Sequence, residues 1–200
     1  MKRLTLAVDM DSILVDLLGH WLQAIEDDTG VRISTDQVLD WDMSSVAGLI
    51  PMDKEKVLAY LQRPGFFLEA PAMPGAIEAL RNLCADHEVL IVSCPCSPNS
   101  AKEKLEWLAK WCPFISAKNV LLVGSGQKPR IKADVLIDDN PEILTSYKRA
   151  HPETLCTGIA YAYNRHLGIS NGYFLCGSYQ QSGAAWDDIV ALVGVAALDT

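Results

Sequence analysis

The sequence is short of positive charge, with 17 Lys and Arg against 25 Asp and Glu and a formal net charge of −8. A broad nucleic-acid footprint needs clustered cations, so binding to a nucleic-acid polymer is not expected. A small anionic ligand stays compatible if a metal ion or a lysine supplies positive charge locally. Long apolar runs are missing as well. Leu4 to Val8 follows the basic Met1-Lys2-Arg3 but is broken at once by Asp9, unlike an export signal. The run from Val190 to Leu198 is far too short to span a bilayer. No membrane association is expected, and the expected compartment is the cytoplasm. The four histidines, His20, His87, His151 and His166, show no paired metal-ligand spacing. Six cysteines are too sparse for a disulfide scaffold and are expected as free thiols. Cys94-Pro-Cys96 has one residue between its thiols, where a redox pair normally has two. There is no Walker motif, internal repeat or low-complexity tract, and Gly124-Ser-Gly126 is too short for a phosphate-cradling fingerprint.

What is present suits one soluble core: 50% hydrophobic and 21% charged residues. Leu4–Val8, Glu88–Ser93, Asn119–Val123 and Ala133–Asp138 read as strands, with a fifth over Thr154–Tyr161. Apolar runs without alternation suit strands covered on both faces. Helical patterns alternate with them, over Pro74–Leu83, Ala101–Trp111 (capped at Asn99 or Ser100), Pro141–Ala150 and Ala184–Leu198. This rhythm predicts an α/β, three-layer, Rossmann-like fold with a mostly parallel sheet. Residues 16–73 depart from it. They carry helical periodicity, at Leu17–Ile25 and Lys54–Leu61, and no convincing strand. The expected organisation is a core of residues 1–15 and 74–200 with a small helical cap, 16–73, inserted after the first strand.

In an open α/β sheet, ligands sit beyond the carboxyl ends of the strands. Asp9 and Asp11 leave the first strand there, Ser93 closes the second, and Asp138-Asp139 close the fourth. Acids and serines often begin loops, so each alone says little, but together they predict one polar crevice.

Asp9-Met-Asp11-Ser-Ile-Leu-Val-Asp16 resembles the first motif of the haloacid dehalogenase-like phosphohydrolases. Val89–Ser93 resembles their second motif, Lys104 fits the third, and Val135-Leu-Ile-Asp138-Asp139 fits the fourth, in the right order along nearly the whole chain. Within that superfamily, Trp41-Asp-Met, Pro64-Gly-Phe-Phe67, Leu136-Ile-Asp-Asp139 and Tyr163-Asn-Arg-His166 are most similar to the 5′(3′)-deoxyribonucleotidases. The resemblance implies a Mg²⁺-dependent phosphatase that acts on a small phosphomonoester, with a (deoxy)nucleoside monophosphate favoured. It also allows a homodimer.

By the same resemblance, Asp9 is the nucleophile and Asp11 the general acid and base. The Mg²⁺ ligands are the side chains of Asp9 and Asp138 with the backbone carbonyl of Asp11, and Asp139 is an auxiliary acid. Ser93, Cys94 and Lys104 bind phosphate, and the cap aromatics Phe66 and Phe67 bind the base. Bland alternatives stand beside these roles. Asp16 can simply cap the following helix, and Lys104 can be a solvated helix lysine. Lys128 is a second candidate, although loop lysines are usually exposed. Phe66 and Phe67 can fill the cap–sheet interface, Trp21 and Trp41 are expected in the cap core, and Tyr163–His166 can approach the same crevice or be a plain loop. The chain departs from the family pattern at Ser12, where Gly is usual, at Leu17, often aromatic, and at Asn140, often basic. Two rival functions stay open: the same chemistry on another phosphate ester, and a non-catalytic binding or regulatory protein.

Overall fold

The computed structural model describes residues 2–167 and 173–198. Six strands, β1 (Thr5–Val8), β2 (Glu88–Ser93), β3 (Val120–Leu122), β4 (Val135–Ile137), β5 (Leu155–Ile159) and β6 (Tyr173–Cys176), form one sheet in the order β3-β2-β1-β4-β5-β6. Every neighbouring pair is parallel. The sheet is as expected, with one strand added. β6 has only four residues and lies at an edge, too short to carry a periodic signal.

Successive side chains of a strand point to opposite faces, and both faces here are apolar. Leu6, Val8, Val89, Ile91, Val135 and Ile137 join one buried cluster with Leu80, Leu83, Trp186, Ile189 and Val193. These come from α5 (Ala76–Asp86) and α8 (Ser182–Ala196). Ala7, Val92, Leu136 and Cys156 join a second cluster with Ile143, Leu144 and Tyr147 of α7 (Pro141–Ala150). The result is three layers with strand ends free only at the edges of the core.

Local signals set the helix ends, and α5, α6 (Pro98–Trp111) and α8 are each shifted by two or three residues from expectation. α6 is three residues longer at its start than the expected Ala101. Ser97 is its cap, accepting from the Ser100 N–H, and Pro98 fits the first turn, where its missing N–H costs nothing. The buried face of α6 is also rotated from the one that Leu105, Leu108 and Trp111, three residues apart, predict. Leu105 is exposed, whereas Glu103, Lys104, Trp107 and Leu108 point inward. Asn140, a departure from the family pattern, caps α7 by accepting from the Glu142 and Ile143 N–H groups.

Between β1 and β2 the described elements are helical, as expected: α1 (Leu17–Thr29), α2 (Ser44–Ala47), α3 (Lys54–Ala59), α4 (Phe66–Glu69), then α5. The outgoing limb after β1 and the limb returning toward α5 meet at an isolated antiparallel bridge between Val15 and Ala72. The two limbs are joined by Asp16 N–H to Pro71 O (2.9 Å) and Met73 N–H to Leu14 O (2.8 Å). Trp21 is buried and donates its indole N–H to Val57 O at 3.0 Å, as a core position should. Trp41 corrects the expectation for it. It is 49% exposed and faces the cavity described below rather than the interior of the insert.

Candidate active site

Three strand ends converge beside β1. The Asp9 N–H continues the ladder to Ile137 O (2.9 Å), and the Asp138 N–H does the same to Thr157 O (3.0 Å). Both carboxylates therefore emerge from rigid backbone. β5 accommodates this through Gly158, where a Cβ would stand 2.2 Å from Asp138 O, so only glycine lets the two strands approach. After Asp9 the chain folds into a tight loop, in which the Leu14 and Val15 N–H groups both donate to Met10 O at 2.8 Å.

Asp9, Asp138 and Asp139 are all buried, and each places one carboxylate oxygen within 4.8 Å of the other two. Two buried lysines oppose this charge. Lys128 Nζ lies 2.9 Å from Asp9 Oδ2 and 2.8 Å from Asp138 Oδ2. Lys104 Nζ lies 2.5 Å from Asp11 Oδ2 and 2.9 Å from Ser93 Oγ. Lys128 thus corrects the expectation of an exposed loop lysine. It is 3% exposed, placed there by the 3-10 turn Ser125–Arg130 packed on α7. The signal in sequence was thin, since a lysine in a Gly-rich loop looks solvated until the fold brings it under Asp138.

Burial raises Asp11, Asp138 and Asp139. Asp11 is raised by desolvation, with Lys104 opposing and Asp9 adding to the rise. Desolvation pushes Asp138 up to about 6 against the pull of Lys128, with Asp9 again raising it. Asp139 is pushed well above the usual carboxylate range by desolvation, then by Asp138 and Asp9. Desolvation alone would lower Lys128, but Asp138 and Asp9 outweigh it and keep the ammonium charged. Among the described residues, Asp11 Oδ1 is buried without a hydrogen-bond partner. A buried carboxylate oxygen without a donor is costly, and this one borders the cavity, where a proton or an incoming ligand would satisfy it.

The cavity has a volume of about 420 Å³, within the range of small-molecule sites. Asp9, Asp11, Lys128 and Asp139 line its floor, Cys94 and Cys96 one side, and Leu17, Leu18, Leu58, Leu61, Trp41 and Phe67 its apolar wall. Asp42 and Lys54 pair at the cavity, both substantially exposed. Ser93 is fully buried and reaches the site through Lys104. The structure separates the two phenylalanines. Phe67 lines the cavity, and Lys104 Nζ stands 4.9 Å from its ring centroid. Phe66 is absent from the lining and packs between His20, Trp21 and Phe67, with centroids 4.8, 6.5 and 5.8 Å away.

Residues outside the expected set complete the site. Tyr163 lines the cavity and donates to Asp139 Oδ2 at 2.5 Å, so the Tyr163–His166 segment is more than a plain loop at its first residue. Glu103, buried on α6, accepts from the Gly65 N–H (2.7 Å) and the Phe67 N–H (3.1 Å) and so fixes the start of α4. Asp16 caps α1, accepting from the Gly19 N–H at 3.0 Å, and also accepts from the Tyr179 hydroxyl at 2.8 Å.

With this geometry in view, residues 3–190 match the family described as 5′ nucleotidase, deoxy (pyrimidine), cytosolic type C. The 5′(3′)-deoxyribonucleotidase of Bacillus subtilis is 32% identical over 144 residues, covering 72% of this chain and 80% of that protein. A Staphylococcus epidermidis protein provisionally named for the same activity is 32% identical over 149 residues, 74% of this chain and 80% of its own length. Among solved structures, a haloacid dehalogenase-like protein from Burkholderia xenovorans superposes over 98% of this chain and 99% of its own, with a TM-score of 0.57 and 17% identity. A haloacid dehalogenase-type hydrolase of Bacillus subtilis, solved bound to magnesium, covers 96% of this chain and 100% of its own, with a TM-score of 0.57 and 15% identity.

Proposed function

The chain belongs to the cytosolic type C family of 5′ nucleotidases, and from that premise we propose a Mg²⁺-dependent phosphatase for nucleoside 5′- or 3′-monophosphates, deoxyribonucleotides favoured, working through an aspartyl-phosphate. The observation that carries this reading is that Asp9, Asp11 and Lys128 line one cavity, with the buried Asp138 and Lys104 paired to them. A non-catalytic binder needs the positive charge but not two carboxylates beside it.

Phosphoryl transfer is largely a matter of position and charge. An oxygen of Asp9 attacks phosphorus and forms the aspartyl-phosphate, while the bond from phosphorus to the nucleoside oxygen breaks. Asp11 gives its proton to that leaving oxygen, consistent with its raised affinity for protons. It then takes a proton from the water that cleaves the aspartyl-phosphate and frees inorganic phosphate. Lys104 and Lys128 balance the charge on the phosphate oxygens, Ser93 holds Lys104 toward them, and Cys94 borders the same pocket.

The donor set suits a hard divalent ion: buried carboxylate oxygens within reach of one another, without sulfur or imidazole among the clustered ligands. Asp9 and Asp138 side chains with the Asp11 carbonyl would hold Mg²⁺, and Asp139 would support them, itself fixed by Tyr163. When bound, Mg²⁺ supplies positive charge against the phosphate oxygens. Residues 16–73 act as the cap, with Phe67 and the apolar wall flanking the base, whereas Phe66 serves as packing.

A phosphate-release screen over nucleoside monophosphates, sugar phosphates and an aryl phosphate tests the reading. Nucleoside monophosphates should be preferred, EDTA should remove turnover, and Asp9→Asn should abolish it in a folded protein. Turnover indifferent to EDTA or to Asp9→Asn would refute the mechanism.

A further inference from the structure

Ser12 directly follows Asp11 and sits at φ 56°, in the left-handed region that an L side chain resists. Among the described residues only Met43 shares this among non-glycines. The loop nevertheless needs this conformation, because Leu14 and Val15 must turn back to donate to Met10 O. What keeps Ser12 there comes from far along the chain. The Tyr161 hydroxyl donates to Ser12 O at 2.6 Å, in a buried contact.

Tyr161 is itself fixed. It is 3% exposed, and its ring stacks on that of Tyr163, centroids 5.0 Å apart and planes 5° apart. Its N–H donates to Asn164 Oδ1 at 2.8 Å, and the Asn164 amide donates to Asp139 O at 2.8 Å. Residues 161–164, which follow β5, therefore grip the loop after Asp9 and the loop after Asp138 together.

Resting on the phosphatase reading for its catalytic consequence, we propose that Tyr161 is a positioning residue: its hydroxyl holds Ser12 in the left-handed region and thereby fixes how Asp11 enters the cavity. A glycine at position 12 would adopt this backbone unaided. Serine needs the clamp.

The test uses Tyr161→Phe, which keeps the stacked ring and removes only the donor, with Ser12→Gly and the double variant. Amide hydrogen exchange at Leu14 and Val15 reads the loop whether or not the protein turns over substrate. Tyr161→Phe should speed that exchange by about tenfold, the scale of one lost buried hydrogen bond. It should lower kcat by a similar factor with KM nearly unchanged. Adding Ser12→Gly should restore most of both, a rescue that general loss of packing would not give. Unchanged exchange in Tyr161→Phe, or no recovery in the double variant, overturns the proposal. Should Tyr161→Phe fail to fold, Ser12→Gly alone decides: slower or equal exchange supports the clamp, and faster exchange overturns it. If the exchange pattern appears but the native protein hydrolyses no phosphomonoester, the clamp stands and the phosphatase reading fails.

Discussion

Replacing Lys128 with methionine keeps most of the buried stem and removes the charge. In the native protein the ammonium lies 2.9 Å from Asp9 and 2.8 Å from Asp138, with all three groups buried. At an effective dielectric constant of about 20, each contact is worth roughly 6 kcal/mol of gross attraction. Desolvation of the ions offsets much of this, so the measured cost of breaking such a pair is about 3–5 kcal/mol. For a domain of this size that is a fall in Tm of about 10 °C. The sign with pH is also fixed. Without Lys128, Asp138, which already stands at about 6, and Asp139 bind protons more tightly than in the unfolded chain. Stability then falls as pH rises, and protonation relieves the penalty as pH falls. Thermal melts of both proteins in EDTA should therefore show a larger deficit at pH 8 than at pH 5.5, and Mg²⁺ should close part of the gap at pH 8. A Tm within about 3 °C of the native value in EDTA at pH 8, or a deficit that grows on acidification, would refute the charge-balance account.

The two phenylalanines should separate cleanly. Phe66→Ala should cost about 3–5 kcal/mol in urea unfolding, as for a buried ring, and leave the preference among nucleoside monophosphates unchanged. Phe67→Ala should raise KM for nucleotides more than for a simple aryl phosphate; an equal effect on both would make this ring packing too. At high pH, burial pushes the Cys112 thiol up to about 12, and the Cys156 thiol up to about 11. The unfolded chain releases these protons near pH 9 and the folded one does not, so stability should fall between pH 9 and 11. Urea midpoints at pH 8 and 10 check this, and a Cys112→Ala, Cys156→Ala variant that loses as much stability over that interval as the native protein would refute it.

The parallel sheet was legible because long apolar runs such as Glu88–Ser93 and Ala133–Asp138 carry their own signal, and the acids at their ends point beyond the sheet. β6 and α4 were not, since each has four residues and owes its form to neighbours rather than to local pattern. The face of α6 departs from its apolar spacing for a related reason. Periodicity assumes that apolar residues go inward, whereas here Glu103 and Lys104 are buried by their partners and Leu105 is left outside. Lys128 and Tyr161 depend on contacts with Asp138 and Ser12, which no local spacing announces. Asp16 as a helix cap needed only its neighbours, and was readable.

Glu103 and Lys104 are consecutive residues of one helix, yet they serve opposite sides of a boundary. One anchors the returning limb of the insert, and the other reaches into the acidic pocket. Moving that limb outward either breaks both bonds to Glu103 or shifts the helix that carries the ammonium beside Asp11. Asp42 and Lys54, exposed at the same cavity beside the short α2 and α3, pair with each other instead.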